Sequence, residues 1–233
     1  MNNSIIHCEN EFEYARSVSK KTLEIINNKL KQSDVCNVAV SGGSSPLPVY
    51  DYLANNKGSF DTDWSKVNFF FIDERCVSKN DIENNFINCE MTLLNKLESV
   101  NAYRMKSWID PHEAAIEYEK IILSKVGNNG GIPQFDLIFM GIGEDGHVAS
   151  LFEDDVKMDF KGKLVINLYI KHLKMQRITM TLDLLNNPLF RIFAVIGNKK
   201  KNIFWEAYKS KNFKYPFEYL LHSKKSTDIW YLL

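Results

Sequence analysis

The sequence predicts a three-layer α/β sandwich with a mostly parallel, Rossmann-like central sheet, and three observations carry that expectation. Apolar runs such as Val67-Asn68-Phe69-Phe70-Phe71-Ile72 are nearly continuous, as in strands covered on both faces. Helical stretches separate these runs, which implies parallel crossovers. Several runs also stop at a polar or glycine-rich segment, and an open parallel sheet binds ligands at the carboxyl ends of its strands.

Taken in order, residues 11–32 read as an amphipathic helix, with Phe12, Ala15, Val18, Leu23, Ile26 and Leu30 near helical spacing. Val35 to Val40 is a short strand stopped by Ser41-Gly42-Gly43. Ser45-Pro46 has the form of an N-cap followed by proline at the first helical position, opening a helix over 46–55. A second strand, Val67–Ile72, ends at Asp73-Glu74-Arg75, and helices near 84–97 and 111–126 follow. Phe135–Met140 is a third strand, Arg177–Leu182 alternates and is β-rich, and Phe190–Ile196 is buried and closed by Gly197. A helix carrying Trp205 and Tyr208 leads to a last strand, Asp228–Leu233.

Length and charge bound the rest. A chain of 233 residues suits a single domain spanning 1–233, with a core that needs neither disulfide nor metal. Lys+Arg and Asp+Glu both count 29, so no global field attracts nucleic acid or a membrane surface, and an anionic ligand requires a local cluster of cations. No apolar run approaches the roughly 20 residues needed to span a bilayer. Cys8, Cys36, Cys76 and Cys89 show no CxxC pairing and no zinc-ligand spacing. Reduced thiols and the lack of a signal-like N-terminus give a cytoplasmic expectation.

Four segments, each directly after an expected strand, should converge on one rim: Ser41–Pro46, Asp73–Arg75, Gly141–His147 and Gly197–Lys200. In the first, glycines let the backbone approach an anion, hydroxyls donate, and a helix N-terminus follows. An ordinary glycine turn with a helix cap accounts for it equally well. Arg75 could hold a carboxylate or phosphate bidentately, or sit in a surface salt-bridge cluster. In Gly141-Ile142-Gly143-Glu144-Asp145-Gly146-His147, three glycines frame an imidazole suited to proton transfer at neutral pH, with Asp145 near enough to orient it. Lys199, Lys200, Lys201 and Arg177 are the remaining candidate cations. His7, His112, His172 and His222 lack such framing and read as structural or surface residues.

The ordered motifs SGGSSP, DERCVS, Asn84-Asn85-Phe86, GIGEDGHVASLF, RITMTLDLLN and IGNKKK resemble those of 6-phosphogluconolactonases, over roughly residues 10–233. That family shares a superfamily with glucosamine-6-phosphate isomerase/deaminases. The resemblance implies opening of the lactone ring of a phosphosugar, with no metal and no organic cofactor. It implies His147 as general base, Asp145 as its partner and Arg75 near the reacting carbonyl. It places phosphate and substrate binding on Gly42, Gly43, Ser44, Ser45, Asp73, Arg177 and Lys200, with Lys199 a register alternative. Ser45 replaces the family's usual threonine and keeps its hydroxyl. Other departures fall in loops: Glu153-Asp154-Asp155 stands where a Pro-Gly turn is usual, Ile170–Gln176 replaces a proline-rich stretch, and Asn84 replaces a common serine. The implied partner is a small phosphosugar lactone, and a functional association with glucose-6-phosphate dehydrogenase is left open.

The resembling deaminases carry Asp-Glu-Tyr after the second strand and a glutamate five residues beyond the histidine. This chain has Arg75 and Phe152 at those positions, which favours lactone hydrolysis. A non-catalytic sugar-phosphate-binding module is the third alternative, and the intact Asp145–His147 pair argues against it.

Overall fold

A computed structural model describes residues 4–127, 131–158, 160, 162–223 and 227–233. In chain order the elements are β1 (Ser4–His7), α1 (Glu11–Leu30), β2 (Cys36–Val40), α2 (Leu47–Asn55), β3 (Val67–Phe71), β4 (Asp73–Arg75), α3 (Asn85–Thr92), β5 (Asn101–Tyr103) and α4 (Pro111–Lys125). There follow β6 (Leu137–Gly141), β7 (Val165–Ile170), β8 (Met175–Met180), α5 (Leu182–Leu185), β9 (Phe190–Val195), α6 (Asn198–Ser210), α7 (Glu218–Leu221) and β10 (Thr227–Leu232).

The main sheet has seven strands in the order β1-β10-β9-β6-β2-β3-β5, and every neighbouring pair is parallel. Side chains alternate between its two faces. Val38, Val40, Phe69, Phe71 and Phe139 pack toward α1, α2 and α3. Ala39, Phe70, Ile138, Met140 and Phe193 pack toward α4 and α6. The three-layer expectation therefore holds, and both faces being covered explains why the strands read as continuous apolar runs.

From β2 the chain winds outward through β3 to β5, then returns to the other side of β2 and winds through β6, β9 and β10. The strand order thus reverses between β2 and β6. The crevice beyond the carboxyl ends of those two strands is where a parallel α/β sheet takes its ligand.

The sequence reading is corrected in three places. The β-rich run Arg177–Leu182 is strand only as far as Met180, Leu182 opening α5, and its strand, β8, is the middle of a second, antiparallel sheet ordered β4-β8-β7. The chain passes between the sheets at Ile72, whose amide donates to the Val40 carbonyl at 3.0 Å and whose carbonyl accepts from Met180 at 2.8 Å. The Tyr118 hydroxyl, bonded to the amide of Phe71 at 2.7 Å, completes that corner. Secondly, the expected helix near 84–97 ends at Thr92 and gives way to a 3-10 turn over Leu94–Lys96. Thirdly, Ser45 does not cap α2: the helix begins at Leu47, Pro46 takes the cap position, and no side chain bonds there. The turn that carries Ser44 and Ser45 instead directs the Ser45 hydroxyl to Lys200, whose Nζ donates to it at 3.4 Å. The strands β1, β4, β5 and β7 lie outside the sequence expectations.

All four cysteine thiols are free. Among the described residues no helix is long and apolar enough to cross a membrane.

Candidate active site

The loops after β2 and β6 meet at the switch point. Ser41 donates its amide to the Phe139 carbonyl at 2.9 Å, and a Cβ added to Gly141 would touch the Ser45 side chain at 3.4 Å. Around them opens a cleft of about 310 Å³ lined by residues of all four predicted segments: Ser41–Ser45, Asp73 and Arg75, Gly141–Glu144 with His147, and Lys200. Arg177 lines it from β8. Asp145 stands behind His147 instead of on the wall.

The loop after β2 is an open backbone cradle. Gly43 adopts φ +80°, a left-handed conformation that a side chain would strain. Gly42 must lack a side chain because a Cβ there would collide with the Asn85 side chain. Among the described residues, the amides of Gly42, Gly43, Ser44 and Ser45 donate to no protein acceptor. Successive free amides around a left-handed residue form an anion-binding nest.

Lys200 adds a charge to this cradle. It lies in the first turn of α6, which holds Lys199, Lys200 and Lys201 and no acidic residue. Cations at the positive end of a helix oppose its dipole, so an anion bound there relieves the conflict. Burial depresses the Lys200 ammonium, while the carboxylates of Glu144 and Asp145 support its charge. Lys199 points elsewhere and pairs with Glu144 at 2.9 Å on the surface. Of the two lysines, Lys200 is the one that lines the cleft.

The loop after β6 holds the acid–imidazole pair. His147 Nδ1 lies 2.6 Å from Asp145 Oδ1, and the His147 amide donates to the same oxygen at 3.1 Å. Burial works to raise the Asp145 carboxyl, yet the bond from the His147 ring and its charge hold it at about 2. Asp145 is therefore ionised at neutral pH and accepts a hydrogen bond from Nδ1–H, which leaves Nε2 with its lone pair. Gly143 has to be glycine because a Cβ would strike the imidazole. Gly146, at φ +80°, makes the turn while the Tyr215 ring packs against it. Phe152 packs at a tilt against His147 at 4.6 Å between ring centroids, and the exposed His172 meets Phe152 edge-on at 5.0 Å.

The floor comes from the small sheet, where Arg75 and Arg177 are direct cross-strand partners. Like charges in that register repel, and neither guanidinium is ion-paired among the described residues. Asp73 is buried beside them; it accepts from the Ser150 hydroxyl at 2.6 Å and from Asn85 Nδ2 at 3.3 Å. Ala149, at φ +51°, turns the chain so that Ser150 reaches Asp73.

Among the described residues, eight buried side-chain polar atoms lack a hydrogen-bond partner. Four of them, Ser41 Oγ, Arg75 Nε, Asn85 Oδ1 and Arg177 Nε, belong to residues lining this cleft. Unpartnered buried polar atoms are expensive, each costing about 1–3 kcal/mol. Such a concentration marks a surface built for a ligand rich in charge and hydroxyls.

Sequence reasoning missed Ser150, the Asn85 contact and Leu173 on the wall, and it gave Glu74 no role. Ser150 stands three residues past His147, and Asn85 lay within a recognised motif, so both were within reach. Glu74 is fully buried and accepts from the amides of Arg75, Asn85 and Phe86 at 2.8, 2.7 and 2.9 Å. Burial pushes its carboxyl up from 4.5 to about 7, against the downward pull of those bonds. Between these values the native state keeps a proton that the unfolded chain has released. The stability Glu74 contributes is thus full below about 4.5 and is lost as pH rises through about 7. Urea unfolding from pH 4.5 to 8 should show a declining component in wild type that Glu74→Gln removes; identical pH slopes for the two proteins would contradict it.

Fold and cleft together define a parallel α/β protein whose switch-point crevice combines an anion cradle with an acid-paired imidazole. Comparison with known proteins narrows that class. The model for glucosamine-6-phosphate isomerases/6-phosphogluconolactonase matches residues 9–230, and the chain belongs to that family. The 6-phosphogluconolactonase of Thermotoga maritima is 31% identical over 222 residues, covering 94% of each chain. That of Treponema pallidum is 30% identical over 194 residues, 82% of this chain and 79% of the relative. The crystal structure of the Thermotoga maritima 6-phosphogluconolactonase superposes with a TM-score of 0.84 at 28% identity, covering 99% of both chains. The 6-phosphogluconolactonase of Trypanosoma cruzi, at 24% identity and a TM-score of 0.87, shares the fold.

Proposed function

We propose that this chain hydrolyses 6-phospho-D-glucono-1,5-lactone to 6-phospho-D-gluconate, the second step of the oxidative pentose phosphate pathway. The observation that carries the reading is the Asp145-paired imidazole of His147 sharing one cleft with the free amides of Gly42–Ser45 and with Lys200.

In the proposed step, the phosphate rests on the Ser44/Ser45 nest with Lys200 and Arg177, which fixes the lactone carbonyl relative to His147. Nε2 takes a proton from water as the water oxygen bonds to the carbonyl carbon. Arg75 meets the developing oxyanion, a stabilisation commonly worth roughly 3 kcal/mol per donor. The tetrahedral adduct collapses by breaking the bond to the ring oxygen, and the imidazolium returns its proton to that oxygen. Asp145 stays ionised throughout and stabilises the imidazolium. Proton transfer and charge stabilisation by these residues complete the chemistry.

The isomerase/deaminase reading is disfavoured by Phe152, whose ring packs on His147 where the resembling deaminases carry a ring-opening glutamate. Incubation with glucosamine 6-phosphate is expected to release no ammonia, while freshly generated lactone is opened faster than it hydrolyses spontaneously. Ammonia release without lactonase activity would overturn the assignment.

We also read residues 1–233 as one domain, supported by a single sheet that draws strands from Ser4 to Leu232. The four free thiols support a reducing, cytoplasmic setting. The substrate arises by oxidation of glucose 6-phosphate, so the dehydrogenase that makes it is the natural supplier.

A further inference from the structure

We propose that Glu74 is a positioning residue for the reaction: its buried carboxylate bonds to the Arg75 amide and to the first two amides of α3, and so fixes where Arg75 and Asn85 enter the cleft. The inference rests on the reading that Arg75 meets the oxyanion.

β4 and α3 are joined by the segment 76–84, and two cross-links close it into a ring. One is Glu74 itself, with its three bonds to main-chain amides. The other is the Arg75 guanidinium, whose Nη1 donates to the Glu83 carbonyl at 2.5 Å. The residue that anchors the ring therefore precedes Arg75, and the residue it captures is Asn85. Asn85 in turn donates to the Asp73 carbonyl at 3.0 Å and abuts Gly42 of the anion cradle. Arg104 braces the outside by stacking on Phe86 at 4.3 Å and donating to the Lys79 carbonyl at 3.0 Å.

A helix cap alone does not account for this arrangement. Asn84 already caps α3 locally, its Oδ1 accepting from the Ile87 amide at 3.2 Å. A buried carboxylate is a costly way to satisfy amides that a surface side chain or water could serve. What Glu74 adds is a long-range tie, eleven and twelve residues along the chain, that sets the angle between β4 and α3. The ionisable groups whose fields couple to it are Asp73, Cys76, Arg104, Tyr118 and Arg177. None of these bonds to its carboxylate, which leaves the main-chain amides as its partners.

The test is a cycle of four proteins: wild type, Glu74→Gln, Arg75→Ala and the double variant, each checked for folding by circular dichroism and assayed on fresh lactone. Glu74→Gln is expected to lower kcat by about 10²-fold, the scale of a roughly 1 Å misplacement, with KM within about threefold because Glu74 bonds to none of the Gly42–Ser45 amides. In the Arg75→Ala background the same substitution should cost little more, since the two residues act as one unit. Glu74→Asp keeps the charge but falls one methylene short of α3. It should show the same kcat-selective loss, and it carries the test if the glutamine variant does not fold. A folded Glu74 variant with wild-type kcat, or a loss that persists in full without Arg75, would overturn the inference. An inactive wild type would overturn the proposed function as well, whereas these outcomes in an active wild type overturn only the role of Glu74.

Discussion

Replacing His147 with alanine is expected to lower kcat for lactone opening by 10²–10⁴-fold, the usual worth of a positioned acid–base group, while KM changes little. The split follows from the geometry. In the proposed reading the phosphate is held by the Gly42–Ser45 amides with Lys200 and Arg177, which the substitution leaves in place. The imidazole is a third exposed and held by Asp145 at 2.6 Å, so its loss removes no core packing and the fold should persist. Asp145→Asn is expected to retain the shape of the turn but to weaken Nε2 as a base, because a neutral amide no longer fixes the Nδ1 proton or stabilises the imidazolium. Steady-state kinetics on freshly prepared lactone, corrected for spontaneous hydrolysis, give both parameters. A large rise in KM with kcat unchanged would instead place His147 in substrate binding.

The largest effect on stability should come from the opposite end of the sheet. Arg191 on β9 and Asp228 on β10 are register partners, both fully buried. They form a two-pronged pair, Nε to Oδ1 at 2.7 Å and Nη2 to Oδ2 at 2.9 Å. Arg191 also donates to Asn186 Oδ1 at 2.7 Å and to the Leu220 carbonyl at 2.9 Å. Asp228→Ala leaves a guanidinium buried without its counter-ion and is expected to destabilise the protein by about 3–5 kcal/mol. For a chain of this size that corresponds to a fall in Tm of roughly 6–20 °C. The pair lies near the amino ends of β9 and β10, away from the cleft, so kcat below the new Tm should be unchanged. Replacing both partners, as in Arg191→Met with Asp228→Leu, should recover much of the loss. Urea denaturation of the three proteins measures the effect, and a single variant as stable as wild type would refute it.

Much of this was legible because a parallel sheet turns sequence order into spatial convergence. Each apolar run marks a strand, and whatever follows its carboxyl end must lie on one rim. That logic places Ser41–Pro46, Asp73–Arg75, Gly141–His147 and Gly197–Lys200 on one rim from the sequence alone. It could not resolve Lys199 from Lys200, because adjacent positions in the first turn of α6 point about 100° apart and only the packing selects one.

The small sheet was hidden for a different reason. β4 is three residues long, too short to carry a period, and it becomes a strand only by pairing with β8 a hundred residues later. The opposition of Arg75 and Arg177, the Ser150–Asp73 bond and the burial of Glu74 all depend on that pairing. Arg191 was equally opaque: one arginine in an apolar run shows nothing of a partner 37 residues away.

The cleft is proposed to open a phosphorylated lactone. The direct measurement is base consumption at constant pH 7, with fresh 6-phosphogluconolactone and with unphosphorylated gluconolactone, each with and without the protein. A protein-dependent rate on the phosphorylated lactone is expected, with a kcat/KM at least about 10²-fold lower without the phosphate, whose binding positions the carbonyl for His147. A rate no faster than spontaneous hydrolysis, or equal rates on the two lactones, would contradict it.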